Sequence, residues 1–186
     1  MIGQLFDILS PCENCFFIKG EGMMKKILTK LLLITMLFVG FGVSVVSAEE
    51  DEVRKVVYHA DYADPRRFSA MLTSINNMTT HYQNEMIDYD VRIVFVAHGI
   101  RFVTEDKLEK TPFAEDKAMA ERRESNYGRL STLNIVQEVK LELCDITRAG
   151  IGLDKSKLLE GVESVPSGVV RIAELQSQGF AYIKIE

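Results

Sequence analysis

Cysteine is scarce in this chain, with three in 186 residues, and so are the loops that announce a nucleotide or protease site. There is no G-x-G-x-x-G, no G-x-x-x-x-G-K-[ST], no G-x-S-x-G and no H-E-x-x-H. Glycine-rich phosphate cradles, a serine nucleophile elbow and a zinc-protease helix are therefore excluded. Basic residues are outnumbered, 22 Lys and Arg against 27 Asp and Glu for a net charge of −5. No basic stripe runs through them, which argues against nucleic acid and anionic membrane surfaces as partners. There is no internal repeat and no low-complexity segment, so the chain is neither a solenoid nor a disordered linker.

A long hydrophobic run is also missing, but a short one is present. Leu31 to Val46 is uncharged, preceded by Lys25, Lys26 and Lys30 and followed by Val46-Ser47-Ala48. The run falls short of the roughly 20 apolar residues that span a bilayer. A positive start, a short apolar stretch and small residues before a cleavage point make a secretory signal. Residues 23–48 are thus expected to be a signal peptide cleaved near Ala48-Glu49, with the product periplasmic or otherwise exported. No cysteine follows the apolar run, so a lipid-modified N-terminal cysteine is excluded. Residues 1–22 would precede the signal. "KGEG" at 19–22 can be encoded by a purine-rich stretch resembling a bacterial ribosome-binding sequence, placed just before Met23 and Met24. The first 22 residues read as a translated upstream region, a start-site error. The alternative, a redox or half-zinc motif in Cys12-Glu13-Asn14-Cys15, lacks a second ligand pair.

Residues 49–186 are expected to form one ordinary domain with a real core. Removing 1–48 takes away four lysines and three acids, moving the net charge from −5 to −6. One cysteine remains, Cys144. In an oxidising compartment, thiols are usually paired or absent, so a single one is either buried and inert or reactive.

The domain alternates apolar runs with helical patterns, as a mostly parallel α/β sheet does. "VRKVVYHA" (53–60) reads as the first strand. Asp64-Pro65 opens a helix as cap and first-turn proline, and Phe68, Met71, Leu72, Ile75, Met78 and Tyr82 follow at helical spacing. "DVRIVFVAHG" (90–99) is the second strand, its unbroken Ile-Val-Phe-Val run fitting burial on both faces. Residues 101–124 carry charge of both signs and read as a solvated loop and helix, with a lid as the lesser alternative. A helix resumes by about Ser125. "VKLELC" (139–144) is the third strand, with Lys140 and Glu142 making one face wetter. A short helix over 154–161, a strand over 162–166, a helix capped by Ser167 and ended by Gly179, and a closing strand "FAYIKIE" complete the pattern.

Three reactive side chains fall at strand ends: His59 after strand one, His98 after strand two, Cys144 after strand three. In open parallel sheets, ligands bind at the carboxyl edge, where free N–H groups favour anions and lower a thiol pKa. Singly, each histidine reads as a hydrogen-bonded core residue and the cysteine as a small hydrophobe. Their coincidence at one edge favours a role for Cys144 most. Thr147 reads as a cap for the turn after Cys144 and Arg148 as an anion holder; both read equally well as plain turn residues. A metal or haem site built from His59, His98 and Cys144 is a second reading. A non-catalytic oligomeric interaction protein with an inert Cys144 is a third.

Four stretches, "KVVYHADYADPRRFSAMLTSINN", "VRIVFVAHG", "LELCDIT" and "GVESVPSGVVRIAELQSQGFAYIKI", resemble the exported members of the DsrE/DsrF-like family of sulfur-oxidation and sulfur-relay proteins. The resemblance covers nearly all of 53–186. It departs at Asp145, where glycine is commoner, and over 100–124. It implies a small three-layer α/β sandwich with a mostly parallel sheet of about five strands, assembled as a trimer or hexamer. It implies that Cys144 takes sulfur as a persulfide and passes it on, as a carrier or sulfurtransferase-like protein needing no cofactor or metal. The implied partners are sulfur donor and acceptor proteins or small sulfur compounds.

Overall fold

The last strand joins the opposite edge of the sheet from the strand before it, and this determines the architecture. The computed structural model describes residues 53–186; the expected upstream segment, the signal peptide, its cleavage point, Cys12 and Cys15 lie outside the described residues. Five strands, β1 (Arg54–Ala60), β2 (Tyr89–Phe95), β3 (Lys140–Cys144), β4 (Val162–Val165) and β5 (Ala181–Ile183), form one sheet in the order β4-β3-β2-β1-β5. Every pairing is parallel. Helices α1 (Pro65–Asn84) and α2 (Lys117–Ile135) connect β1 to β2 and β2 to β3. The six-residue α3 (Asp145–Gly150) follows β3, and α4 (Gly168–Ser177) carries the chain from β4 back across the sheet to β5.

Strand alternation divides the core in two. Val56, Tyr58, Ile93, Phe95, Leu141 and Leu143 face one way and pack with Phe68, Met71, Leu72, Ile75, Leu130 and Leu133 of α1 and α2. Val57 and Val94 face the other way, under Ile172 and Leu175 of α4 and Phe180. The molecule is thus a three-layer α/β sandwich, with two helices on one face and α4 on the other.

The first helix begins where its sequence places it: the Asp64 carboxylate accepts a hydrogen bond from the Arg66 N–H at 2.8 Å, with Pro65 in the first turn. Several details differ from expectation, among them the closing strand, which spans only Ala181–Ile183. Strand β2 stops at Phe95 rather than running to 99, because Ala97 takes a left-handed φ of 48° and starts a 3₁₀ turn over Ala97–Phe102. This turn is drawn tight against β1, and a side chain at Gly99 would meet the Ala60 carbonyl at 2.1 Å. Helix α2 starts at Lys117, not near Ser125, capped by Asp116 accepting from the Met119 N–H at 2.9 Å. Gly128 lies inside it with open space beside it.

Residues 101–104 are not solvated: Arg101, Phe102, Val103 and Thr104 are all buried. They capture the segment expected as a helix over 154–161. Thr104 bridges Leu158 and the Leu159 N–H bonds the Val103 carbonyl at 3.0 Å, leaving only a 3₁₀ turn at Lys155–Lys157. Finally, Ser167 stands at the N-cap of α4 but its hydroxyl makes no capping bond. No helix among the described residues is long and apolar enough to cross a membrane.

Candidate functional site: a thiol between two helix N-termini

The connection leaving β3 packs Leu153 into the α1–α2 side of the core, whereas the connection leaving β4 becomes α4 on the opposite face. The outgoing chains therefore diverge between β3 and β4, the kind of crevice where open α/β sheets bind ligands. Cys144 ends β3 at that point, paired with Val165 of β4. It is also the N-cap of α3, with extended backbone at φ −60° and ψ 114°. Alternation along β3 turns its side chain, like that of Glu142, toward α4.

Cys144 stands at the start of α3 and lies against the first residue of α4, where a Cβ on Gly168 would be 3.0 Å from its own Cβ. Two helix N-termini thus converge on it, and both carry partial positive charge. Burial pushes the thiol pKa up, but the Gly168 N–H first and the Thr147 and Ile146 groups after it outweigh that, so the net displacement is downward. Gly168 can come this close only because it lacks a side chain. A Cβ there would lie 2.6 Å from Val96 Cγ2 and 3.0 Å from Cys144 Cβ. Cys144 is 4% exposed, so the thiol lies at the floor of the crevice. Around it stand three exposed apolar side chains, Ile146 of α3 and Val169 and Val170 of α4. A hollow of about 320 Å³ lies beside it, lined by Val165, Pro166, Ser167, Val170, Arg171 and Glu174.

The other sequence candidates divide. Thr147 is part of the site: its Oγ1 accepts from the Ala97 N–H at 3.1 Å, tying the turn after β2 to α3. The Arg148 guanidinium points elsewhere, donating to Asp145 Oδ1 at 2.7 Å and to the Leu153 carbonyl. His59 shares the α4 face but sits two strands away, roughly 11 Å from Cys144 between Cα atoms by strand spacing and rise. Its Nδ1 pairs with the Tyr182 hydroxyl at 2.9 Å, and its Nε2 is 3.9 Å from Asp61, which also holds Lys184 at 2.9 Å. Burial pushes its pKa down, Asp61 pulls it up and Lys184 pushes it down again, leaving it lowered. His98 lies in the 3₁₀ turn beyond β2, edge-on to Phe113 at 5.1 Å. His59, His98 and Cys144 form no three-ligand metal cluster among the described residues.

Sequence reasoning missed Gly168, Glu142 and Arg171. Glu142 is not on a wet face: it is 3% exposed, gripped by Arg171 at 2.7 and 2.9 Å and by Arg92 at 2.9 Å. A glycine directly after a helix-capping serine was the available signal for Gly168, since first-turn positions rarely need one.

The model of the DsrE/DsrF-like family matches residues 52–185. The chain belongs to the DsrE/DsrF-like family. This family is generally linked to sulfur relay. Among solved structures, the chain is similar to a protein of unknown function, MTH1491 from Methanobacterium thermoautotrophicum, with 27% identity, a TM-score of 0.54, and coverage of 72% of this chain and 99% of that one. It is also similar to the ychN protein from E. coli, with 17% identity, a TM-score of 0.45, and coverage of 71% and 99%. Comparison with curated proteins gave no match.

Proposed function

We propose that this DsrE/DsrF-like protein is an exported sulfur carrier, sulfurtransferase-like in chemistry, that holds sulfane sulfur on Cys144. The observation that carries this is the position of Cys144, which ends β3 beside Val165 of β4, stands at the start of α3 and lies against Gly168, the first residue of α4. The Cys144 thiolate attacks the outer sulfur of a donor persulfide, R–S–SH. The donor S–S bond breaks, a new S–S bond forms on Cys144, and the donor leaves as its thiolate. No net oxidation occurs. An acceptor thiolate takes the sulfur off by the same exchange. A persulfide ionises more readily than a thiol, and the same helix N-termini serve its terminal charge.

Export is supported by the pattern over 23–48, and it fits a domain with one cysteine and no intramolecular partner to seal it. Self-association as a trimer or hexamer is supported by family membership and by the exposed Ile146, Val169 and Val170 around the thiol, where a covering surface would keep water and oxidants from a bound sulfur.

Intact mass after incubation with a persulfide donor tests the carrier reading. The protein should gain one sulfur, and Cys144→Ser should gain none at that site. The depth of the thiol favours the competing reading of an inert core cysteine in an interaction protein. That reading prevails if Cys144 stays unmodified until the protein unfolds.

A further inference from the structure

The seat of Gly168 against Cys144 is one of two attachments between α4 and β3. Glu142 and Cys144, two residues apart, present their side chains to the same helix. Gly168 and Arg171, three residues apart on α4, face them. Gly168 meets Cys144, and Arg171 meets Glu142 through a two-pronged contact, Nε to Oε2 at 2.7 Å and Nη2 to Oε1 at 2.9 Å. An arginine fork on a carboxylate constrains angle as well as distance. Glu142 is itself immobilised by Arg92 at 2.9 Å. Arg92 is held by Asp90 at 3.0 and 2.6 Å, and Asp90 by Lys140 at 3.1 Å. The Arg92 guanidinium also covers the Phe180 ring at 5.2 Å, just beyond the other end of α4. The helix is thus pinned at depth by a buried carboxylate rather than by a solvated surface pair.

We infer that Arg171 is a positioning residue for the thiol: its fork on Glu142 fixes the height and rotation of α4 so that the first residue of that helix, Gly168, stays seated against Cys144. This deepens the sulfur-carrier reading and rests on it for its purpose, though the geometry does not. Other charges around the thiol are accounted for separately. Asp145 on α3 is bound to Arg148 at 2.7 Å and lies 3.9 Å from Lys155. Glu174 on α4 is 3.8 Å from Arg171. Glu163 of β4 is exposed.

The test uses the protein as recovered from cells, with Cys12→Ser and Cys15→Ser so that Cys144 alone reports. The thiolate is titrated by its ultraviolet absorbance, and alkylation by iodoacetamide is timed from neutral pH to full ionisation. Arg171→Leu leaves Glu142 its bond to Arg92, and circular dichroism verifies that each variant is folded before it is titrated. Arg171→Lys keeps the cation but loses the fork. Both variants should titrate at higher pH than wild type. Their alkylation should slow at neutral pH by about tenfold per unit of displacement, with rates converging on wild type once the thiol is fully ionised. General loosening would instead speed alkylation at every pH. Wild-type titration in Arg171→Lys alongside a displaced Arg171→Leu would mean that charge alone acts, and would overturn the proposal, as would two unchanged profiles. If the profiles shift but wild type takes up no sulfur, the carrier reading fails and the positioning role stands.

Discussion

Replacing Gly168 with alanine puts one carbon atom into the space that the site depends on. The new Cβ would be 2.6 Å from Val96 Cγ2 and 3.0 Å from Cys144 Cβ, whereas carbon atoms rest at about 3.5–4.0 Å. The first turn of α4 must therefore lift by about 1 Å. Overpacking of this kind costs roughly 1–3 kcal/mol, offset by up to about 1 kcal/mol from the better helix propensity of alanine. A net loss of about 1–2 kcal/mol should lower Tm by roughly 3–8 °C in a domain of this size. The same lift moves the first turn of α4 away from the thiol, so it should titrate closer to the ordinary value of about 8.5. Scanning calorimetry and thiolate absorbance read the two effects independently. Gly150→Ala is the control, because nothing lies within 4 Å of a Cβ there, and it should leave the titration alone. Unchanged Tm and an unchanged thiol titration in Gly168→Ala would refute the argument that the helix terminus rests on the sulfur.

Two further outcomes follow from the same structure. His59 has a lowered pKa in the folded state because burial disfavours its charged form. The unfolded chain therefore takes up a proton that the native state resists, and the stability associated with His59 is full above about pH 6.5 and is lost as pH falls below it. Denaturant midpoints measured across this window should fall less steeply for His59→Gln than for wild type, and equal slopes would remove His59 as the cause. Asp64→Ala should cost about 1 kcal/mol by removing the α1 cap; chemical denaturation with no change in midpoint would show the Arg66 N–H to be satisfied otherwise.

Much of this was legible before any coordinates. The unbroken Ile-Val-Phe-Val of β2 marks a strand covered on both faces, and a parallel sheet follows from the alternation with helices. Cys144 falls at a strand end because Val139, Leu141 and Leu143 count out the pleat. What stayed hidden depends on partners far away in sequence. Glu142 reads as wet until Arg92 and Arg171, 50 and 29 residues distant, close over it. The bend that removes His98 from β2 rests on a left-handed alanine, a conformation that residue type does not advertise. The early start of α2 is masked by a charged stretch whose Asp116 serves as cap and as partner to the buried Arg101 at 2.6 Å. The depth of the thiol is equally invisible, since it is set by how closely Gly168 descends.

Helix α4 is held down by Val57 and Val94 from the first two strands. An unfinished or truncated polypeptide lacking residues after Gly161 would still contain Cys144 but not the helix that lies against it. In such a fragment the cysteine is an ordinary thiol, slow to ionise and slow to exchange. The surroundings of this sulfur are therefore assembled only when the second half of the domain folds onto the first.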